Sequence, residues 1–170
     1  MKKRLLLSLL LILSLVTLTG CDLLKNKDNT TKTTTKAQEK GNIKVGDYYV
    51  SLTEQSTFDD ATFKFPKNTI VSSVGSYTIL YYMKTGTDKE LFRIGINKFL
   101  GSITQVMGEN FIRQGVKSFN GLTWEVYSDT AGNITYAHYH KDYSYVFGFI
   151  SQEDMSEFQE EFIKNVTFKN

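Results

Sequence analysis

The sequence predicts an α+β domain over residues 42–170: a central antiparallel sheet with helices packed on its faces. Three observations carry this. Short aromatic and β-branched runs are separated by turn residues through most of the segment. Apolar residues switch to helical spacing after Ser102 and again after Ser151. Twelve Phe and ten Tyr against a single Pro favour strands throughout. The order, strands first and helices laid between and after them, points to α+β.

Asp47 to Leu52 and Ala61 to Pro66 read as extended; in the second, Phe63 and Phe65 alternate with Thr62 and Lys64. Pro66-Lys67-Asn68 is a turn, and Thr69 to Val74 resumes extended structure up to Gly75. Tyr77 to Met83 (YTILYYM) and Leu91 to Phe99 (LFRIGINKF) are strands joined through a turn holding Gly86. In the latter, Phe92, Ile94, Ile96 and Lys98 share one side, and Leu91, Arg93, Gly95, Asn97 and Phe99 the other. Ser102 with Gln105 three positions on forms a capping-box pattern. Ile103, Val106, Met107 and Phe111 then recur at helical spacing, ending near Gly115. Asn120-Gly121 inside VKSF-NG-LTWEVY predicts a tight hairpin. Turns at Asp129–Asn133 and Lys141-Asp142 lead into strands Ile134 to His140 and Tyr143 to Ile150, completing an antiparallel meander. Ser151 is the expected cap of a last helix, with Met155, Phe158, Phe162, Ile163 and Val166 as its buried stripe. Val166 to Lys169 is a candidate edge strand.

The first 41 residues read differently. Met1-Lys2-Lys3-Arg4 precedes a 14-residue apolar run, Leu5 to Leu18, broken only by Ser8, Ser14 and Thr17. A spanning helix needs about 20 apolar residues, so the run fits a cleaved export signal over 1–20. The ending Leu18-Thr19-Gly20-Cys21 resembles the lipobox of bacterial lipoproteins. That resemblance implies that Cys21 carries a diacylglyceryl group, becomes the mature N-terminus and holds the protein to a membrane; two acyl chains suffice for stable anchoring. Cys21 is the only cysteine, so the domain must be stable without an internal disulfide. Residues 21–41 are expected to form a disordered Lys/Thr-rich tether of net charge +2 beyond the cysteine. Residues 42–170 carry 12 Lys and Arg against 15 Asp and Glu, so nothing in the domain suggests nucleic acid as a partner. Low Pro with abundant Lys, Asn, Ile and Tyr suits a Gram-positive source, which would place the domain on the outer face of the cytoplasmic membrane.

Phe63 to Pro66, Gly121 with Trp124, the aromatic run Tyr143 to Phe149 and Phe158 to Phe168 together resemble the PsbP-like domains of small bacterial lipoproteins. The resemblance implies an α/β/α sandwich and a binding or accessory role without catalysis, several members serving larger assemblies.

Candidate chemistry is sparse. His138 and His140 sit two apart on one strand and so share a face, offering two nitrogens to a Zn or Cu ion, with Glu125 or Asp142 as conceivable third ligands. Asp59-Asp60 and Glu160-Glu161 are adjacent carboxylates whose side chains diverge, so neither is preorganised for acid–base work. No nucleophile elbow, phosphate loop or cofactor motif is present. Tyrosines are the remaining signal, with Tyr136, Tyr143 and Tyr145 as candidates for a binding surface. The expectation is a non-enzymatic lipoprotein, without cofactor, that binds another envelope protein. The alternatives are a small-ligand or cell-wall-glycan receptor with a tyrosine-lined groove, and a His138/His140 metal carrier.

Overall fold

Strand alternation governs nearly all of the computed structural model, which describes residues 42–84 and 86–170. The expected signal, the lipidated Cys21 and the tether lie outside the described residues. Among the described residues there are twelve strands: β1 (Ile43–Val45), β2 (Tyr48–Val50), β3 (Leu52–Phe58), β4 (Ala61–Pro66), β5 (Thr69–Val74) and β6 (Tyr77–Met83) come first. The rest are β7 (Glu90–Leu100), β8 (Ile112–Phe119), β9 (Leu122–Ser128), β10 (Ile134–His140), β11 (Tyr143–Ser151) and β12 (Thr167–Phe168). Helix α1 spans Ile103–Val106 and α2 spans Ser156–Lys164.

Seven strands form one antiparallel sheet in the order β5-β6-β7-β11-β10-β9-β8. Its spine is β7 against β11, paired from Leu100↔Tyr143 to Phe92↔Ser151. The β12-β4-β3 strands make a second small sheet, and β1 pairs with β2 alone. Turn chemistry sets the register locally. Asn120 (φ 50°) and Gly121 (φ 81°) supply the two positive φ angles of a two-residue hairpin turn between β8 and β9.

One face of the large sheet is covered. Leu80, Ile94, Ile96, Phe147 and Phe149 are at most 1% exposed and pack in one cluster with Phe63 and Phe65 of β4 and Phe158 and Phe162 of α2. Ring contacts knit the layers: Phe92 to Phe158 at 4.5 Å, Phe63 to Phe162 at 5.7 Å and Phe149 to Phe162 at 5.6 Å. The other face carries a second, small cluster in which Ile103, with Val106 and Met107, covers Tyr127, Ala137 and Val146.

The α+β expectation is therefore corrected. Strands make up 59% of the described residues and helix 10%, so the fold is mostly β and is not an α/β/α sandwich with helices packed on both faces. Two physical causes stand out. The helical spacing after Ser102 yields a single turn, because Met107 is already extended (φ −82°, ψ 99°) and Gly108 follows. From Ile112 the chain is a strand, and Gly115, expected as a helix end, sits within it at φ 146° beside a register shift. Second, the polar run Leu52 to Phe58, which shows no apolar alternation, is drawn into a strand by pairing with β4. The last helix also begins late. Ser151 ends β11, its Oγ donating to the Leu91 carbonyl (2.9 Å), and Asp154 Oδ1 accepts from Ser156 N (3.0 Å) at the helix start.

Truncating the ring shared by both layers tests this packing. Phe147 is fully buried against Phe63, Trp124 and Phe162. Phe147→Ala is expected to cost about 3–5 kcal/mol in urea denaturation, whereas Phe99→Ala, on the opposite face and 40% exposed, costs far less.

Candidate functional site

Alternation along β10 assigns each side chain its environment. Ile134, Tyr136, His138 and His140 point to the covered face; Thr135, Ala137 and Tyr139 point to the other. Tyr136 is 1% exposed and Tyr145, across the ladder from His138, is fully buried, so both rings belong to the core. Tyr143 retains 37% exposure, and the Lys98 ammonium lies 4.0 Å from the centre of its ring. Of the three tyrosines singled out in the sequence, Tyr143 alone offers ring surface outward.

The two histidines come together, but around an aromatic ring. Phe168 of β12 lies 4.8 Å from each imidazole and 4.9 Å from Tyr145, while Trp124 stands 5.1 Å from His138. Each imidazole uses one nitrogen on the backbone. His138 Nδ1 donates to the Thr123 carbonyl (2.8 Å) and His140 Nε2 to the Lys169 carbonyl (3.1 Å); a carbonyl can only accept, which fixes both tautomers. Glu125 points to the opposite face, where it accepts from Tyr127 Oη (2.6 Å) and Arg113 Nε (3.1 Å). Among the described residues no group of three or more His, Cys, Asp or Glu is placed to hold a metal ion. What the pair does is fasten the last strand of the chain onto the large sheet.

The paired carboxylates separate. Asp59 faces Lys98 (3.3 Å) and Asp60 faces Lys141 (3.5 Å), while Glu160 takes Lys117 and Glu161 takes Lys164. Hydrogen bonding from Tyr127 holds the Glu125 carboxyl below its usual range, and burial with that same bond pushes Tyr127 up to about 12. Tyr127 therefore stays a proton donor at any physiological pH.

The region left uncovered is the open face of the large sheet beside α1. Ile70 and Val74 on β5, Tyr77 on β6, Phe99 on β7 and Ile150 on β11 are 38–77% exposed there. Gly95 and Gly148 pair across β7 and β11 on this face, next to Thr135. They form a shallow furrow, and Tyr77 lies in it: a Cβ on Gly95 would stand 3.2 Å from Tyr77 Oη. Arg93 is the cation of this half, bonded to Glu90 at 2.8 Å and set over the Tyr81 ring. The sequence reading places Phe99 on its face but does not single out this surface. The signal that could have found it is glycine in the middle of two adjacent apolar strands.

A separate cleft of about 190 Å³ lies between β3 and β5, lined by Ser56, Thr57, Phe58, Asp59, Val71 and Ser73 among others.

No protein-family model and no curated protein matches this chain. Among solved structures, a 1.50 Å crystal structure from Bacteroides thetaiotaomicron VPI-5482 is similar, with a TM-score of 0.45 and 12% identity. The match covers 68% of this chain and 47% of that one, so the chain spans about half its length.

The histidine contacts carry a pH signature. Burial pushes the His138 pKa below its ordinary value, opposed by the Thr123 carbonyl and reinforced by His140. The unfolded chain thus takes up this proton first as pH falls. The contribution of neutral His138 is fully present above about pH 6.5 and is lost progressively below it, down to the lowered folded value. Melting curves between pH 7.5 and 5 are expected to fall more steeply for the native chain than for His138→Phe; parallel curves would rule this out.

Proposed function

We propose that this chain is a lipid-anchored, extracytoplasmic binding module that serves another envelope protein and does no catalysis itself. The observation that carries the reading is the open half-face around Tyr77, Phe99 and Ile150. Antiparallel sheets commonly leave one face to solvent, but such faces are then polar. Here large apolar side chains stand out on β5, β6, β7 and β11. They stand in two rows of the face, Val74, Tyr77 and Phe99 towards one end and Ile70 and Ile150 towards the other. Exposed apolar side chains with aromatic members are the composition of protein-binding surfaces. The lipobox-like Leu18-Thr19-Gly20-Cys21 supplies the anchor, on the outer face of the cytoplasmic membrane, and the segment behind it the reach.

A glycan or small-ligand receptor is the second reading, and the hydroxyl-lined cleft beside Phe58 favours it. At about 190 Å³ it falls below the usual 300–1,000 Å³ of ligand pockets.

In-cell crosslinking followed by mass spectrometry tests the proposal. The native chain is expected to enrich one envelope protein; Cys21→Ala, no longer held at the membrane, should lose most of it. Ile150→Lys should reduce recovery about tenfold or more, as for a residue desolvated in an interface, with the melting temperature little changed. Enrichment that survives Ile150→Lys and Phe99→Asp would move the partner off this face. No enriched protein at all would sink the reading in favour of the cleft.

A further inference from the structure

The two edges of the large sheet are built differently. Edge strands offer unpaired N–H and C=O groups, and proteins blunt them with charge, bulges or short length. β8 is protected by charge and by a bulge: Arg113 and Lys117 flank a register shift that leaves Gln114 unpaired beside Gly115. In the small sheet, β3 carries Glu54 at its own register shift, and β12 is two residues long. β5, with the sequence TIVSSV, has six residues in unbroken register with β6 and no charge, proline or bulge. Ile70 (56%), Val71 (46%) and Val74 (77%) are exposed along it.

The backbone geometry of β5 follows from its hairpin. β5 and β6 are joined by the two residues Gly75 (φ 58°) and Ser76, closed by the pair Val74↔Tyr77. The closing pair of such a hairpin exchanges both hydrogen bonds, and bonded pairs alternate. Val74, Ser72 and Ile70 therefore direct their backbone groups to β6, while Val71 and Ser73 direct theirs outward.

We propose that β5 is a self-pairing edge, joining two copies of this chain through an antiparallel β5–β5 ladder with a twofold axis at Ser72. In that register Val71 of each copy meets Ser73 of the other, so the outward backbone groups bond each other. Ile70 meets Val74 on the open face, a reciprocal apolar pair. No charge opposes a like charge anywhere along the six residues. The same operation on β8 sets Arg113 against Lys117, like charge to like. The β3–β5 cleft flanks the new strand on the covered side and leaves space where the Val71 and Ser73 side chains meet. A second copy fits better than an unrelated extended peptide because the apolar and outward-bonding positions match themselves under the twofold.

Ser72 meets its own copy as a non-bonded pair, with Cα atoms about 4.5 Å apart, within disulfide range. Full-length Ser72→Cys, mildly oxidised in membranes, should give a disulfide-linked dimer several-fold above the native chain, whose single cysteine is taken up by the lipid anchor, and above Ser118→Cys on β8. Ser72→Lys and Ser72→Glu, each folded by circular dichroism, should fail to co-purify with a differently tagged copy of themselves, yet recover each other when co-expressed. A Ser72→Cys dimer yield no higher than both controls would overturn the proposal. So would Lys/Glu pairs recovering no better than Lys/Lys. A disulfide from the Ser72→Cys chain to some other protein would give the edge to that protein instead. Ile150 and Phe99 take no part in this ladder, so its failure is distinguishable from failure of the open-face partner.

Discussion

The pairing of β7 with β11 is the constraint on which the rest of the structure depends. Nine consecutive pairs fix which side chains face which way. Because side chains alternate, a slip of one residue would send Phe92, Ile94 and Ile96 to solvent and bring Arg93 and Asn97 inside. With each fully buried Phe or Ile worth about 1.5–3 kcal/mol, such a slip is strongly disfavoured. Once that register is set, one face of the sheet is an aromatic and aliphatic slab that must be covered. α2 and β4 are the cover, and their phenylalanines meet the slab ring against ring.

The same alternation decides the fate of every candidate functional residue. Tyr136 and Tyr145 enter the core because their strand positions share parity with Phe147 and Phe149. His138 and His140 follow them, meeting Phe168 where a metal site would need a third donor. Glu125, one residue out of phase, is delivered to the far face and neutralised there by Arg113. Chemistry that looked adjacent in sequence is thus divided by the sheet itself. Trp124 marks the cost of this packing, its indole N–H being buried without an acceptor among the described residues.

Much of the strand order was legible because turns are local. Asn120-Gly121, Gly75 and Lys141-Asp142 mark their hairpins in the residues alone. The helix after Ser102 was misread for an equally local reason. Its first turn is real, with Ser102 N donating to Gln105 Oε1 at 3.1 Å, but a nucleated turn does not propagate through Gly108. β3 beyond Leu52 was missed because its partner, not its own pattern, makes it a strand. The open apolar face was hidden for a different reason. An exposed Phe or Ile in a strand looks like a core residue until it is known which face has a cover.

A sheet buried on one side places its stability on that side, and single changes at exposed positions usually move stability by about 0.5 kcal/mol or less. The open face and the β5 edge are therefore free to change sequence without loss of the fold. Under that freedom, exposed Ile, Val, Tyr and Phe are not required by folding, and they raise the risk of aggregation. The β8 edge of the same sheet carries charges and a bulge, so protection against stray pairing is present in this chain where it is applied. Its absence along β5, together with the apolar open face next to it, is the asymmetry expected of a surface kept available for contact.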